Sequence, residues 1–380
     1  MIGAEGLRNA IERGRIFQER VIAMEATKGR ASLDEMTAQL NQCVVDFRGS
    51  IQLDIEPRIA FGDIRAMSIH GGRCHLQMAH VSLDSKRCIL YFDTSFMEGS
   101  RKFDFIARSW VFWLVLAEFL REGHRAADEF ALETGDSGYL GDVAYCSKNA
   151  AGCLIPDPDF MATDGYAGFR RICEASLPAW ADRIPKIFWR GSTTGHRLWT
   201  APADAEPDDL RWLPRLALCV ACRASEVADI CDVGVASLVQ IPEPYLQARI
   251  RASGLMRDPV PRELFLQNRA AFDIDGNSNA WSGLFCSLLG ASCVFKIASR
   301  DDYRQWYYSH LVPWENFVPV GADLSDLPRA VAWFREDQSE AERIAARGRQ
   351  LAIGMDTSSE ISASARVFGQ WLGRRASVAA

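Results

Sequence analysis

Apolar residues recur at helical spacing over residues 5–46, interrupted at Lys28-Gly29-Arg30, and predict two amphipathic helices. Ser32, followed by Asp34 and Glu35, supplies the second with an N-cap and an acidic first turn. Between residues 50 and 95 the period falls to two, as in Ile51-Gln52-Leu53-Asp54-Ile55, which predicts strands. A long helix is expected over 103–122, strands at 130–134 and 143–146, and loops over 154–160 and 163–168. From residue 183 the alternation restarts. Strand 184–189, helix 210–224, strand 236–240 and helix 261–268 lead to a strand through Phe272. Helix 284–289 and strands 293–296 and 316–320 follow. Such alternation predicts an α/β chain with a parallel sheet in each half and a cleft between the halves. The expected divisions are 1–182, 183–355 and a C-terminal helix at 356–380 that packs back on the first part.

Composition narrows the class. The 380 residues are 48% hydrophobic and 24% charged, enough for two cores, and the net charge of −6 argues against a nucleic-acid partner. The most apolar window, 110–120, is half the length of a membrane span and contains Glu118, so a buried helix is expected. The first residues have no basic flank and apolar core, which predicts a cytoplasmic protein, with peripheral contact at the inner membrane face left open. The 11 cysteines, mostly in apolar runs, suit reduced buried thiols. Cys219-x-x-Cys222 with Cys231 lacks the second pair of ligands that a zinc site needs.

Two blocks carry candidate chemistry. Residues 272–283, Phe-Asp-Ile-Asp-Gly-Asn-Ser-Asn-Ala-Trp-Ser-Gly, read as a strand, a glycine-containing polar turn and the start of an apolar helix. Small residues admit backbone N–H groups to an anion, and the helix N-terminus adds roughly half a positive charge. Residues 187–195 repeat the theme, with Arg190, Gly191, Ser192 and Thr193 after an apolar strand. Either block alone reads equally as an ordinary turn; together they suggest a nucleotide with more than one phosphate.

With these blocks stand Leu289-Gly290-Ala291-Ser292-Cys293-Val294-Phe295-Lys296, Trp306-Tyr307-Tyr308, Leu311-Val312-Pro313-Trp314, Phe317-Val318-Pro319-Val320 and Tyr145-Cys146-Ser147-Lys148. In this order, across residues 130–355, they resemble family 90 glycosyltransferases: capsule-associated xylosyltransferases, animal protein O-glucosyltransferases and bacterial lipopolysaccharide-modifying relatives. The resemblance implies two Rossmann-like domains facing a cleft (GT-B type), acceptor side first and nucleotide-sugar side second. It implies inverting transfer of glucose or xylose from a UDP-sugar donor to a glycan, glycolipid or protein hydroxyl, in lipopolysaccharide or capsule synthesis, with no cofactor and no metal. Asp273-x-Asp275 imitates a metal-binding turn, and Asp275 is read instead as shaping the loop.

Without a metal, fixed donors and cations must stabilise a departing diphosphate. Arg190 is the leading candidate, because a planar guanidinium grips phosphate in bidentate fashion. Gly191, Ser192 and Thr193, with Gly276, Asn277, Ser278, Asn279, Trp281 and Ser282, would add neutral donors. Arg269 matches a basic family position, Lys296 stands at a strand end, and Thr163 and Tyr166 fall on a donor-contacting loop of the family. Asp136 occupies the place of the family's general base, with Glu133 and Asp142 as alternatives; Asp157 and Asp159 are read as sugar-binding or solvated, and His196 as a supporting donor. One departure stands out. Animal members follow the glycine turn with Ser-aromatic-Arg, whereas this chain has Trp281-Ser282-Gly283 in the Trp-x-Gly form of bacterial members. The cation must come from elsewhere, and a nucleotide-sugar-binding protein without transferase activity is the rival reading.

Overall fold

The computed structural model describes residues 4–27, 30–64, 78–97, 102–136, 142–195 and 209–379. In chain order the elements begin with α1 (Ala4–Met24), α2 (Leu33–Ile51), β1 (Glu56–Gly62), β2 (Met78–Leu83), β3 (Arg87–Asp93), α3 (Asp104–Ala107), α4 (Trp110–Arg121) and β4 (Asp128–Glu133). Next come β5 (Val143–Ala144), β6 (Cys146–Ser147), β7 (Cys153–Leu154), α5 (Pro158–Ala162), α6 (Ala167–Ser176), β8 (Ile184–Ser192), α7 (Pro214–Ala221) and β9 (Cys231–Ser237). The remainder comprises α8 (Pro244–Ala252), β10 (Asn268–Asp273), α9 (Ser282–Leu289), β11 (Cys293–Ile297), β12 (Arg304–Gln305), β13 (Val318–Val320), α10 (Leu327–Glu336), α11 (Gln338–Ile353) and α12 (Thr357–Ala379).

The chain forms two compact units. The first holds residues 1–165, 304–306 and 355–380, the second 166–303 and 307–354. In the first unit a six-stranded sheet runs β1-β3-β2-β4-β5-β7. It is mixed rather than wholly parallel, because β2 lies antiparallel to both β3 and β4. The reason is local. Asp84 accepts hydrogen bonds from the Lys86 and Arg87 amides at 2.7 and 2.8 Å, closing a turn too short for a parallel crossover. The apolar helix α4 is buried from Trp110 through Leu120, and α12 covers it with Phe368, whose ring lies 5.9, 5.3 and 5.7 Å from Phe112, Phe119 and Phe130. No described helix is long and apolar enough to cross a membrane.

The second unit is a parallel sheet in the order β13-β11-β10-β8-β9. Counted along this unit, that is the doubly wound arrangement 2-1-3-4-5, whose strand order reverses between β8 and β10. Ala270 and Ala271 of the central β10 are fully buried and let helices approach both faces. At the far end of α9, buried Arg183 donates to the Gly290 and Ala291 carbonyls at 3.0 and 2.8 Å, satisfying the C-terminal acceptors.

Several local expectations moved. The strand expected at 236–240 is β9, drawn upstream by its pairing of Ile187 with Cys231 through Arg190 with Gly234. The helix expected at 210–224 is the shorter α7, which begins at Pro214 because proline suits the first helical turn. Residues 262–267 form a 3-10 turn rather than an α-helix, since Asn268 already starts β10. The loop expected at 154–160 contains α5, entered by Asp157 as N-cap and Pro158 in the first turn.

Candidate functional site at the switch point of the parallel sheet

Open α/β sheets bind ligands beyond the carboxyl ends of their strands, where the strand order reverses. Here that point lies between the end of β8, with Arg190-Gly191-Ser192, and the end of β10, with Asp273. The two glycine-containing turns, far apart in sequence, meet there: the Gly195 amide donates to Asn277 Oδ1 at 3.2 Å. Thr193 is fixed from another side, its hydroxyl donating to the Val239 carbonyl and accepting from the Val239 amide, both at 2.8 Å.

An arginine outside both turns joins them. Arg215, in the first turn of α7, donates through Nε to the Asp275 carbonyl at 3.0 Å and through Nη1 to the Thr194 hydroxyl at 2.6 Å. Further bonds reach the Ser192 and Ile274 carbonyls at 3.2 and 3.3 Å. Helical side chains tilt toward their own N-terminus, and the N-terminus of a crossover helix sits at the carboxyl ends of the strands, so Arg215 is directed back into both turns. Enclosure lowers its pKa to about 10, although the Asp273 and Asp275 charges oppose that. Gly276 has to lack a side chain here: a Cβ would stand 2.8 Å from Thr194 Oγ1 and 3.0 Å from Arg215 Nη2.

The other basic residues are differently engaged. Arg190 donates from Nη2 to Asp232 Oδ1 at 2.7 Å and from Nη1 to the Trp189 and Asp232 carbonyls, each at 2.9 Å. Its guanidinium lies over Phe188, so the fork expected to hold a phosphate already holds a carboxylate. Lys296 pairs with buried Asp273 at 2.9 Å and lies over the Tyr308 ring. Arg269 begins β10, at the opposite end of the strand from the turn. It donates to the Trp180 and Ala181 carbonyls and to Gln338, which corrects the expectation that it reaches the same phosphates.

Beyond β10 the turn closes through the Gly276 amide on the Asn279 carbonyl at 3.3 Å, and the Trp281 amide donates to Asn279 Oδ1 at 2.6 Å. Trp281 adopts φ +49°, a left-handed conformation that strains a bulky residue, and gives α9 no side-chain cap. In the first turn of α9 the Gly283 amide donates to the Ala280 carbonyl at 2.9 Å, and no side chain caps the helix start. Buried polar atoms cluster on this side: Ser278 Oγ, Asn279 Nδ2, Asp273 Oδ1, Asp275 Oδ1 and Arg190 Nε have no hydrogen-bond partner among the described residues. Such atoms are rare in folded proteins and mark strain or a ligand position. Burial pushes the Asp275 carboxyl up to about 6, against the Lys296 charge and a Ser299 hydrogen bond. A cavity of about 470 Å³ is lined by two of these residues, Arg190 and Asp273, together with Trp189, Arg215, Phe265 and Gly283.

This constellation, a parallel-sheet switch point with an uncapped helix start and an enclosed arginine, suits an anionic ligand. Residues 246–358 match the model for glycosyl transferase family 90. Protein O-glucosyltransferase 2 of Danio rerio is 27% identical over 194 residues, 51% of this chain and 32% of that protein. Protein O-glucosyltransferase 3 of Rattus norvegicus is 35% identical over 88 residues, 23% of this chain and 17% of the relative. Uncharacterized protein 027R of Frog virus 3 (isolate Goorha) is 26% identical over 196 residues, 47% of this chain and 19% of that protein. The aligned stretch spans a third or less of each relative.

The glycosyltransferase match contains the Gly276 turn, α9, β11 and Lys296; Arg190 and Arg215 precede it. Gly283 stands where animal members were expected to carry arginine, and a Cβ there would lie 4.0 Å from Asp273 Oδ1. Arg215 is the residue that sequence reasoning missed. Its one signal was position, in the first turn of the helix after β8, behind a proline.

The remaining candidates belong to other surroundings. Asp136, three residues past β4 in the first unit, forms a half-buried ion pair with Arg108 at 2.8 Å. Burial works against the Arg108 charge, yet Asp136 raises its pKa overall. Asp142 accepts from the Ala131 amide at 3.0 Å and ties adjoining segments of that sheet, and Glu133 is fully buried. Asp157 is neither solvated nor free for a sugar: it caps α5 through the Phe160 amide at 2.8 Å, and burial pushes its carboxyl up to about 7. Thr163 donates to the Asp159 carbonyl at 2.6 Å. Tyr166, at φ +60°, packs its ring 5.5 Å from Phe285 of α9. The ten described cysteines are buried. His196 lies outside the described residues.

Proposed function

We propose that this chain transfers a sugar from a UDP-sugar to an acceptor hydroxyl, by an inverting displacement without a metal. The observation that carries this reading is Arg215, an enclosed cation bonded to both glycine-containing turns at the switch point of a parallel sheet. The family 90 match over the second turn and α9 supports it. In this reading the diphosphate lies beside Ser278 and Asn279 at the start of α9, with Arg215 behind it as a fixed positive charge. Donors held by packing before the reaction stabilise charge that develops on the leaving group, which is where catalysis needs them. Asp136 takes the proton from the acceptor hydroxyl as its oxygen attacks the anomeric carbon. Glucose is the preferred sugar, because relatives carry the name protein O-glucosyltransferase, with xylose next. The acceptor is a glycan, glycolipid or protein hydroxyl, and the setting lipopolysaccharide or capsule synthesis.

A donor-binding protein without transfer is the second reading. It is favoured by Arg190 and Lys296, both already paired with carboxylates. UDP release from a panel of UDP-sugars, with and without acceptor glycans, separates the two in wild type and Asp136→Asn. Acceptor-dependent release with one sugar, lost in the variant while UDP still binds, supports transfer with Asp136 as base. UDP binding without turnover for any donor and acceptor supports the second reading. Full activity in Asp136→Asn removes that residue from the mechanism.

A further inference from the structure

The first unit carries a second and larger cavity, of about 1160 Å³, between α12 and the segment joining α4 to β4. Ligand pockets commonly run from about 300 to 1,000 Å³, so this one is ample for a small amphiphile. Its lining combines apolar and charged side chains, with the Arg375 guanidinium 4.9 Å from the Trp371 ring. The apolar part is built from Phe119, Ala126, Ala127, Ala151, Trp371 and Leu372. The polar part carries Arg125, Arg366, Arg374 and Arg375 against two acids, Asp128 and Asp142. Both acids are engaged by one arginine: Arg375 Nε meets Asp128 at 2.8 Å and Nη1 meets Asp142 at 3.6 Å. Arg366 and Arg374 are exposed and make no hydrogen bond or ion pair with the described residues. A local excess of positive charge thus sits beside an apolar groove, in a chain whose net charge is −6.

We infer that this groove takes an anionic lipid, with an acyl chain along Ala126, Ala127 and Ala151 beside Gly373 and a phosphate at Arg366 and Arg374. Charge complementarity selects the headgroup, since arginine is a preferred phosphate partner. The floor selects the tail. A peptide laid in the groove would bring backbone N–H and C=O groups that need partners. One wall is the helix α12, whose backbone groups are already paired within the helix, whereas an acyl chain asks for none. The glycines of α12 shape the space. A Cβ on Gly369 would stand 3.2 Å from the Phe119 ring, so the helix packs closely there, while a Cβ on Gly373 would meet nothing within 4 Å. The groove is open beside Gly373. This site lies wholly in the first unit and is independent of the donor-site reading.

The test is flotation of the full chain with vesicles of phosphatidylcholine alone or mixed with phosphatidylglycerol. Binding is expected only to the mixed vesicles. Arginine near an anionic surface contributes about 1 kcal/mol, so Arg366→Ala with Arg374→Ala lowers partitioning about 30-fold. Gly373→Trp puts a bulky ring at the mouth of the groove, where a Cβ meets nothing within 4 Å, and replaces a poor helix former, so it keeps or raises the melting temperature while binding falls at least tenfold. Wild type that ignores phosphatidylglycerol overturns the inference. So does a folded Gly373→Trp variant that floats as wild type does, because charge alone would then account for binding. Equal binding of wild type to an acidic peptide in solution, competing with the vesicles, would assign the groove to a protein partner instead.

Discussion

Arg215 Nη1 lies 2.6 Å from the Thr194 hydroxyl, and its Nε lies 3.0 Å from the Asp275 carbonyl. One side chain therefore fixes the spacing of the two turns that form the candidate donor site. A planar guanidinium can do this because its N–H groups point along several fixed directions at once; an ammonium is a compact charge with no such fork.

Arg215→Met should weaken UDP binding at least tenfold, which calorimetric titration would measure, since hydrogen bonds to a charged group contribute about 1.5–3 kcal/mol. Arg215→Lys should restore the charge but not the spacing, and recover only part of the affinity. Wild-type affinity in both variants would remove Arg215 from the donor site.

Asp136→Asn should retain UDP affinity and lose transfer by about 10²–10⁴-fold, the range expected for loss of a general base. The readout is single-turnover transfer with saturating donor. Equal loss of donor affinity would instead point to disruption around the Arg108 ion pair.

Lys296 and Asp273 form a pair in which the acid is buried and the base nearly so. Removing one partner leaves a buried charge, so Lys296→Met should destabilise the chain by about 3–5 kcal/mol in denaturant unfolding. Adding Asp273→Asn should recover most of that loss. If Lys296→Met unfolds like wild type, the pair is not structural, and Lys296 returns as a ligand for the donor.

Asp157 gives a pH signature. Its folded pKa of about 7 exceeds the ordinary value of 3.8, because burial disfavours the carboxylate. The fold then binds the proton more tightly than the unfolded chain does. The resulting stability is complete below about pH 4 and is lost as the pH rises toward 7. Asp157→Asn keeps an oxygen for the Phe160 amide. Its melting temperature should exceed that of wild type at pH 8, with the advantage smaller at pH 5 and gone near pH 4. An identical pH dependence in both proteins would refute this assignment.

Much of this architecture is readable from the residues alone, where cause and consequence are near in sequence. The apolar run at 110–120, too short for a membrane span and broken only by Glu118, predicts a buried helix, and α4 is one. Glycine and small polar residues after apolar strands mark turns that admit an anion, and both turns sit at strand ends of the parallel sheet. Sheet direction was less legible: one tight turn at Asp84 makes the first unit's sheet mixed, where alternation of elements suggested a parallel one. The choice of cation was not legible at all. Arg190 follows its strand as a phosphate ligand would, yet Asp232, 42 positions away, takes its fork. Arg215 has no local motif, but folding brings it to Thr194, 21 positions before it, and to Asp275, 60 positions after. Period and turn chemistry act over a few residues, so sequence alone determines elements and their ends. Charge pairing acts through space, and only the tertiary fold decides which arginine is neutralised and which faces the site.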